Sequence, residues 1–503
     1  MTINHRFGHT FKARSATSKL LTTLGKLQLL VLVSACLAQA APLPQLRVDD
    51  NGRFFVTSDG TPFLYLADTA WTLLACTRED VDTYLHDRVA KGFTVIQISV
   101  AGFNAITSPN AYGQTIFVDQ DPNRPNEAYF KQLDYVVNEA ESLGLYVALV
   151  PLWANEYERP QHVDGFADDS HSNVLTQSSA SSYGKFLGTR YRAKPVIWIL
   201  GGDWFATGYE EIWRSMAAGL TEGDGGVHHL MTYHQKSPRS SAQWFHHEPW
   251  LDFNMLQTGH TVFNRNYDLV TEDWNRVPAK PVVDGEGGYE GIADSMVRGS
   301  KIDAADVRRI AYGAFFAGAA GYAYGGHGVW EYRSTHPAAP STAPAGDTMP
   351  GAPPGDTRHG VAPPWKEALQ LPAGTQMRYL RTLLESRPML TRIPDQWLIS
   401  NDPLGTVNRM QACRASDGSY AFIYTASGTP LKIRMTDHIY DKLSGKTIRA
   451  YWYDPRHGTS QRIGEFDKTV FHDFTPPTSG HGNDWVLVLD DASKGYAPPG
   501  KLE

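Results

Sequence analysis

The chain has 503 residues, of which 42% are apolar and 20% are charged. This composition excludes disordered, collagen-like and coiled-coil proteins, and the length is sufficient for two or three domains. The formal net charge is −7, and residues 1–40 contribute five lysines and arginines but no acidic residue. Subtracting those five charges from −7 leaves −12, which argues against a protein that binds nucleic acid or anionic membranes.

The N-terminus has the pattern of an export signal over residues 1–40. A basic stretch ends at Lys26, an apolar run covers residues 27–33, and Ala38-Gln39-Ala40 offers a small-residue cleavage site. The run is shorter than the roughly 20 residues that a membrane-spanning helix needs. Cys36 also lies in a sequence that resembles a lipoprotein box. We therefore expect a secreted protein, with a periplasmic or Cys36-linked lipid-anchored form as the alternative.

Residues 41–392 have the pattern of one large α/β domain. Eight short apolar runs alternate with helical patterns, and their unbroken apolar character is typical of parallel strands covered on both faces. The runs are 62–71, 93–100, 145–153, 195–204, 228–234, 251–260, 281–290 and 321–330. They predict a (β/α)8 TIM barrel. A doubly wound open sheet is the competing fold, but LADTAW, which ends the first run, lacks the glycine-rich phosphate loop that usually follows its first strand.

The rest of the chain differs in composition and in hydrophobic pattern. Residues 333–364 are rich in proline, alanine and glycine and predict a long loop beside the barrel mouth. Residues 393–492 contain short alternating runs separated by turn signals, which predict a small all-β sandwich. Residues 493–503 form a tail. We expect the sandwich to pack against the barrel as a structural support.

Two acidic residues follow apolar runs at positions where a barrel builds its active site, at the C-terminal ends of the strands. Asp203 follows the fourth run and Glu286 the seventh, so their side chains can converge across the ring. Two convergent carboxyls suit glycoside hydrolysis, in which one donates a proton and the other attacks the sugar or activates a water. We expect Asp284, two residues before Glu286, to point into the same layer.

Other polar and aromatic residues also lie near strand ends and are candidates for substrate binding. Packing roles compete with this interpretation for the aromatic residues, as does helix capping for Asp68. The candidates are Asp68, Trp71, Trp153, Trp204, His234, His260, Tyr289, His327 and Trp330.

No metal or cofactor is expected from the motifs. The sequence has no HExxH and no HxH after the first strand, and the His pairs 228–229 and 246–247 would point to opposite faces of a strand. A GxSxG nucleophile elbow is also absent. A metal-dependent hydrolase remains a third option behind a glycosidase and a binding protein.

Five motifs in order resemble the apiosidase-like glycoside hydrolases of family 140, over residues 45–390. They are LADTAWTLL, WILGGDW, PVVDGEGGYE, YGGHGVW and HGVAPPWKEALQLPAGTQMRYLRTLLESRP. The resemblance implies a (β/α)8 barrel that removes apiose from pectin side chains, in particular those of rhamnogalacturonan II. It also implies that Asp203 is the acid/base and Glu286 the nucleophile of a retaining mechanism. The C-terminal region, with AYWYDPRHG, resembles a β-domain assigned to collagen binding.

The sequence therefore predicts a secreted glycosidase whose partner is an oligosaccharide or polysaccharide. The alternative is a non-catalytic carbohydrate- or matrix-binding protein with the same barrel and β-domain. The sequence gives no indication of the oligomeric state.

Overall fold

The computed structural model describes residues 42–101, 109–153, 175–332, 360–405, 407–436 and 441–501. The predicted signal segment 1–40, including Cys36, and residues 333–359 of the predicted loop lie outside these ranges. Residues from Leu43 onward form one compact unit. Within the described residues, no helix is both long enough and apolar enough to cross a membrane.

The secondary structure alternates strands and helices up to residue 324 and is mostly β after residue 391. The strands are β1 (Leu46–Val48), β2 (Phe55–Thr57), β3 (Pro62–Phe63), β4 (Tyr65–Thr69), β5 (Val95–Ser99), β6 (Tyr146–Val150), β7 (Val196–Gly201), β8 (Met231–His234), β9 (Arg239–Ser240), β10 (Asn254–Gln257), β11 (Val282–Glu286), β12 (Gly321–Tyr324), β13 (Arg392–Pro394), β14 (Met410–Ala415), β15 (Tyr420–Thr425), β16 (Leu431–Arg434), β17 (Thr447–Asp454), β18 (Thr459–Asp467), β19 (Phe471–Phe474) and β20 (Trp485–Asp491). The helices are α1 (Arg78–Ala90), α2 (Glu127–Ser142), α3 (Gln177–Tyr191), α4 (Glu210–Asp224), α5 (Ala242–Phe245), α6 (Asn266–Trp274), α7 (Ala304–Phe316), α8 (Trp365–Ala368) and α9 (Pro372–Glu385).

Eight parallel strands form the barrel, and each lies inside one of the eight predicted runs. Their order in the sheet is β8-β7-β6-β5-β4-β12-β11-β10, and the short β9 pairs antiparallel with β10. The ring closes between β8 and the residues before β10, where the Asp252 N–H donates to the Met231 carbonyl at 2.9 Å. Every residue of these eight strands is buried, which explains why their sequences are nearly continuous in apolar character. The predicted barrel is confirmed.

The N-terminal end of the barrel is filled by aromatic side chains. Strands β1, β2 and β3 form a small antiparallel sheet there. Phe55 of this sheet packs against Phe253 with 5.2 Å between ring centroids and against Tyr65 at 6.0 Å. This packing closes the end of the barrel opposite the predicted site.

Helices α3 and α4, which flank β7, approach each other with backbone in contact. A Cβ added to Gly188 would lie 2.3 Å from the Leu220 carbonyl oxygen, and one added to Gly219 would lie 2.2 Å from that of Ser181. Real Cβ atoms do not approach oxygen so closely, so glycine is required at both positions. The pair fixes the helical layer behind the strand that leads to Asp203.

The C-terminal domain contains two antiparallel sheets, and the predicted all-β fold is confirmed. One sheet has six strands in the order β13-β14-β15-β20-β17-β18, and the other contains β16 and β19. Side chains from both sheets, such as Ile423, Leu487, Ile433 and Phe474, share one buried core. The two sheets therefore pack face to face as a small sandwich.

The other face of the six-stranded sheet packs against the barrel through α7. Tyr424 stacks on Tyr312 with 4.9 Å between centroids and 8° between planes, and Phe422 stacks on Phe316 at 5.7 Å. Beside these rings, the Arg308 guanidinium donates two hydrogen bonds to Asp484, at 2.6 and 2.9 Å, in a fully buried pair. The sandwich thus covers an apolar face of α7.

We predict that Asp484→Asn will destabilise the whole chain. The substitution leaves the Arg308 charge buried without a counter-charge, which costs about 3 kcal/mol of unfolding free energy or more. The urea midpoint of unfolding measures this loss. Asp50→Asn, which removes the exposed partner of Arg47, is the matched control and should leave the midpoint nearly unchanged. Equal midpoints for Asp484→Asn and the parent protein would show that the pair does not hold the two domains together.

Candidate active site

Asp203 lies just beyond the C-terminal end of β7, where the chain turns. The strand ends at Gly201, which has a φ of +85°, and a Cβ at this position would lie 2.3 Å from the His234 carbonyl oxygen. The next N–H, that of Gly202, donates to the same oxygen at 3.1 Å. This close approach to β8 is possible only with glycine, and it brings Asp203 over the barrel mouth.

Glu286 enters the site because β11 carries a β-bulge. In the pairing with β10, Leu256 lies opposite Asp284 and Gln257 opposite Glu286, so Gly285 has no partner. A bulge breaks the alternation of side chains. Asp284 accepts hydrogen bonds from Thr258 at 3.2 Å and from Asn266 of α6 at 2.8 Å, so it faces the helices. The prediction that Asp284 shares a layer with Glu286 is wrong for this reason.

The two predicted carboxyls meet in one cluster with two histidines. His234 Nε2 lies 3.0 Å from Glu286 Oε2, and His260 Nε2 lies 3.2 Å from Oε1. Gln257 donates its amide to Asp203 Oδ1 at 2.7 Å. One Asp203 oxygen and one Glu286 oxygen lie within 4.8 Å of each other. Glu286 is only 4% exposed, whereas Asp203 is partly exposed. Glu286 therefore lies deeper in the site, and Asp203 lies nearer to its opening.

The predicted aromatic residues pack around these histidines. Trp71 and Trp153 have ring centroids 5.6 and 5.4 Å from that of His234. The ring centroid of Tyr289 lies 4.5 Å from that of His260 and 6.3 Å from that of Trp330. All four rings are buried. They fix the histidine rings, whereas Trp204 is only half-buried.

Two other predicted residues make different contacts. Asp68 is fully buried between β4 and α1, where Arg88 donates to it at 3.0 Å together with the Tyr84 hydroxyl. The substrate-binding prediction for Asp68 is wrong because its side chain points away from the barrel interior. The sequence feature that could have indicated this pairing is Arg88, because it lies on the buried face of α1. His327 is also buried and lies 3.3 Å from the Gly291 carbonyl oxygen and 3.5 Å from Glu331.

A family model described as "Apiosidase-like, catalytic domain" matches residues 49–391. The chain belongs to the apiosidase-like family. A second model, "Putative collagen-binding domain of a collagenase", matches residues 393–490. No curated protein matches the chain.

Two solved structures resemble this apiosidase-like protein over most of their length. One is a glycoside hydrolase family 5 protein from Bacteroides vulgatus, with 30% identity and a TM-score of 0.77, covering 90% of this chain and 95% of that one. The other is titled "Glycoside hydrolase", with the same identity and TM-score, and it covers 90% and 98%. Together with the family, they identify this protein as a glycosidase.

The environment of the apiosidase-like site drives the proton affinities of the two carboxyls apart. Burial and the nearby Glu286 charge raise the pKa of Asp203 to about 6. Burial also opposes ionisation of Glu286, but hydrogen bonds and positive charge from His234 and His260 outweigh it and lower the pKa of Glu286 well below its usual range. The Glu286 partner in turn raises the pKa of His234 against the effect of burial. Glu286 therefore loses its proton at a lower pH than Asp203 does.

Two residues at the site have roles that the sequence did not indicate. Gln257 is the last residue of β10. Its hydrogen bond to Asp203 depends on the register of β10 in the sheet, which the sequence does not reveal. Glu290 accepts hydrogen bonds from the Tyr324 hydroxyl at 2.8 Å and from the Ala373 N–H at 3.0 Å. Burial raises the pKa of Glu290 to about 7. Glu290 ties the loop that follows β11 and carries Tyr289 to the N-terminus of α9.

Two groups among the described residues have the ligand atoms for a cation. Asp203, His234 and Glu286 offer three atoms within 4.8 Å of one another, as do Asp303, Asp306 and His481. In the first group, His234 would have to give up its hydrogen bond to Glu286. In the second, Asp303 already caps α7 by accepting from the N–H groups of Ala305 and Asp306. Both groups therefore have hydrogen-bonding roles that need no metal.

Proposed function

We propose that the protein is a secreted retaining glycosidase that releases apiose from the side chains of pectin, with rhamnogalacturonan II as the plant cell-wall substrate. The observation that carries the mechanism is the pair of carboxyls, Asp203 and Glu286, within 4.8 Å of each other and with opposite pKa shifts. The family match supports the sugar, and the signal pattern of residues 1–40 supports export.

In the first step, Asp203 protonates the leaving-group oxygen while Glu286 attacks the anomeric carbon. The C–O bond to the leaving group breaks, and an ester forms between the sugar and Glu286. The two histidines keep Glu286 ionised and aim its oxygens. Because Oδ1 of Asp203 accepts from Gln257, the proton to be donated lies on Oδ2.

In the second step, Asp203 takes a proton from water, and the water oxygen attacks the anomeric carbon and frees Glu286. The electrostatic coupling between the two carboxyls supports this switch from acid to base. Part of the raised pKa of Asp203 comes from the negative charge of Glu286. Ester formation removes that charge, so the pKa of Asp203 falls when a base is needed.

The spacing of the carboxyls supports a double displacement. Retaining glycosidases hold their two carboxyl groups about 5–5.5 Å apart, whereas inverting enzymes need about 6.5–9.5 Å to admit a water between the base and the sugar. One oxygen of Asp203 lies within 4.8 Å of one oxygen of Glu286, and this close approach favours the shorter, retaining spacing.

A substrate screen tests the proposed activity. The protein without residues 1–40 is incubated with pectic oligosaccharides that carry apiosyl branches and with a panel of aryl glycosides. We expect apiose to be released, and Asp203→Asn or Glu286→Gln to slow turnover by about 10²–10⁴-fold without changing the unfolding midpoint. Asp50→Asn is the control. Release of a different sugar would overturn the substrate, and near-normal turnover in either variant would remove that residue from the mechanism.

Stereochemistry and azide rescue test the two roles. NMR of the first product should show retained anomeric configuration. With azide present, Glu286→Ala should yield a glycosyl azide of inverted configuration, because azide replaces the nucleophile. Asp203→Ala should yield the retained azide, because azide attacks the ester on Glu286. If Glu286→Ala gave the retained azide and Asp203→Ala the inverted azide, the roles of the two residues would be reversed. A first product of inverted configuration from the parent enzyme would exclude the glycosyl ester on Glu286.

The pH dependence follows from the two pKa shifts. The free enzyme is active with Asp203 protonated and Glu286 ionised, so kcat/KM should fall about tenfold per pH unit above about 6. No acidic decline is expected while the protein stays folded, since the pKa of Glu286 is lowered. A dinitrophenyl glycoside, whose leaving group needs no proton, should show a weaker decline. A profile that rises through pH 6 would contradict the assignment of Asp203 as acid.

A further inference from the structure

Gln97 is a buried amide on the side of β5 that faces the barrel interior. Its neighbours Ile96 and Ile98 belong to the apolar core under the helices, whereas Val95 belongs to the core inside the barrel. Because side chains alternate along a strand, Gln97 points inward with Val95. It is fully buried. A buried amide needs hydrogen-bond partners for both its oxygen and its nitrogen, so its contacts indicate its role.

The amide nitrogen of Gln97 binds a backbone carbonyl of β11. Its Nε2 donates to the Gly285 carbonyl oxygen at 3.0 Å and to the Thr69 hydroxyl at 3.2 Å. Strands β4 and β12 lie between β5 and β11 in the sheet, so the bond to Gly285 crosses the barrel interior. A carbonyl oxygen only accepts, which requires the NH2 group of the amide to face Gly285. The amide oxygen, Oε1, accepts from the Tyr65 hydroxyl at 3.0 Å.

Gly285 is the residue that the bulge in β11 leaves without a partner in β10. A bulged residue is displaced from the regular ladder of backbone hydrogen bonds, and a buried carbonyl oxygen without a donor costs free energy. The Gln97 amide supplies a donor to this carbonyl. The next residue in the chain is Glu286, and the direction of its side chain depends on the backbone of the bulge.

We propose that Gln97 is a positioning residue for Glu286, the nucleophile of the proposed function on which this inference rests. Gln97 acts through the backbone of Gly285, and the Tyr65 and Thr69 side chains fix its amide in turn. A nucleophile reacts fastest when it is held about 3–3.5 Å from the atom that it attacks. Loss of the Gln97 donor frees the bulge to shift, and the Glu286 oxygen then leaves the line of attack on the anomeric carbon.

A double-mutant cycle with azide tests this role. Gln97→Met keeps the length of the side chain and removes its hydrogen-bonding groups. On the dinitrophenyl glycoside of whichever sugar the substrate screen identifies, this variant should lower kcat/KM about 10- to 100-fold, because a displacement of about 1 Å can cost 10²-fold. In the Glu286→Ala background, azide replaces the nucleophile. Gln97→Met should then leave the rate of glycosyl azide formation nearly unchanged, since no carboxyl remains to be positioned.

Gln132→Met is the matched control for the loss of a buried hydrogen bond. Gln132 of α2 is also buried, and its amide also donates to a backbone carbonyl, that of Cys76 at 3.3 Å. Cys76 lies outside the barrel strands. Both variants should lower the urea midpoint of unfolding, but Gln132→Met should keep the turnover of the parent protein. The comparison separates the positioning of Glu286 from a general loss of stability.

Gln97→Glu provides a second variant whose donor depends on pH. An ionised carboxylate only accepts, whereas a protonated carboxyl can donate to the Gly285 carbonyl. The ratio of its kcat/KM to that of the parent should therefore rise as the pH falls, and taking the ratio cancels the titration of Asp203. In the Glu286→Ala background, the same ratio for azide formation should not change with pH.

The outcomes distinguish this inference from the proposed function. Parent-like turnover of Gln97→Met would overturn the positioning role, and so would an equal loss in the azide reaction, because that would show a general loosening of the pocket. If Gln97→Met does not fold, a pH-independent ratio for Gln97→Glu would overturn it instead. A loss that requires Glu286 would support it whichever sugar is cleaved, even if apiose is not released. Near-normal turnover of Glu286→Gln would overturn both the nucleophile and its positioning residue.

Discussion

Two carboxyl groups held close together in a largely buried site cannot both ionise without a large cost in free energy. The site depends on which of the two carboxyls keeps its proton. Two histidines bind Glu286 and stabilise its charge, and the cost then falls on Asp203, which retains its proton to a higher pH. One carboxyl that keeps its proton and one that is ionised thus arise from two similar groups, without any difference in their intrinsic chemistry. The geometry around them serves to maintain this asymmetry.

The asymmetry depends on the backbone as much as on side chains. Without the bulge at Gly285, strict alternation would turn Glu286 to the same side as Asp284, between the strands and α6. The bulged glycine also lies where a Cβ would be 2.7 Å from the Met255 sulfur, so a larger residue would displace the neighbouring strand. Together with Gly201, it explains why glycines flank both carboxyls in the sequence.

The sequence predicts the barrel well because a buried parallel strand has no polar face, and its apolar run is visible in one chain. It also predicts Asp203 and Glu286, because strand ends define where side chains can converge. It does not predict the direction of Asp284, since a bulge inserts one residue and leaves no mark in hydrophobic periodicity. Nor does it predict the partners of Asp68 and Glu290, which lie 20 and 83 residues away and meet them only in the folded chain.

The short connection between the two domains has a mechanical consequence. Helix α9 ends at Glu385 and β13 begins at Arg392. The stacked tyrosines and the buried Arg308–Asp484 pair fill the contact between the domains. Enzymes that carry an appended module on a long linker can anchor to a surface and sweep their active site around that point. Here the barrel has no such freedom. On any solid substrate the molecule must reorient as a single compact unit, so the angle at which it lands decides which part of the substrate reaches the pocket.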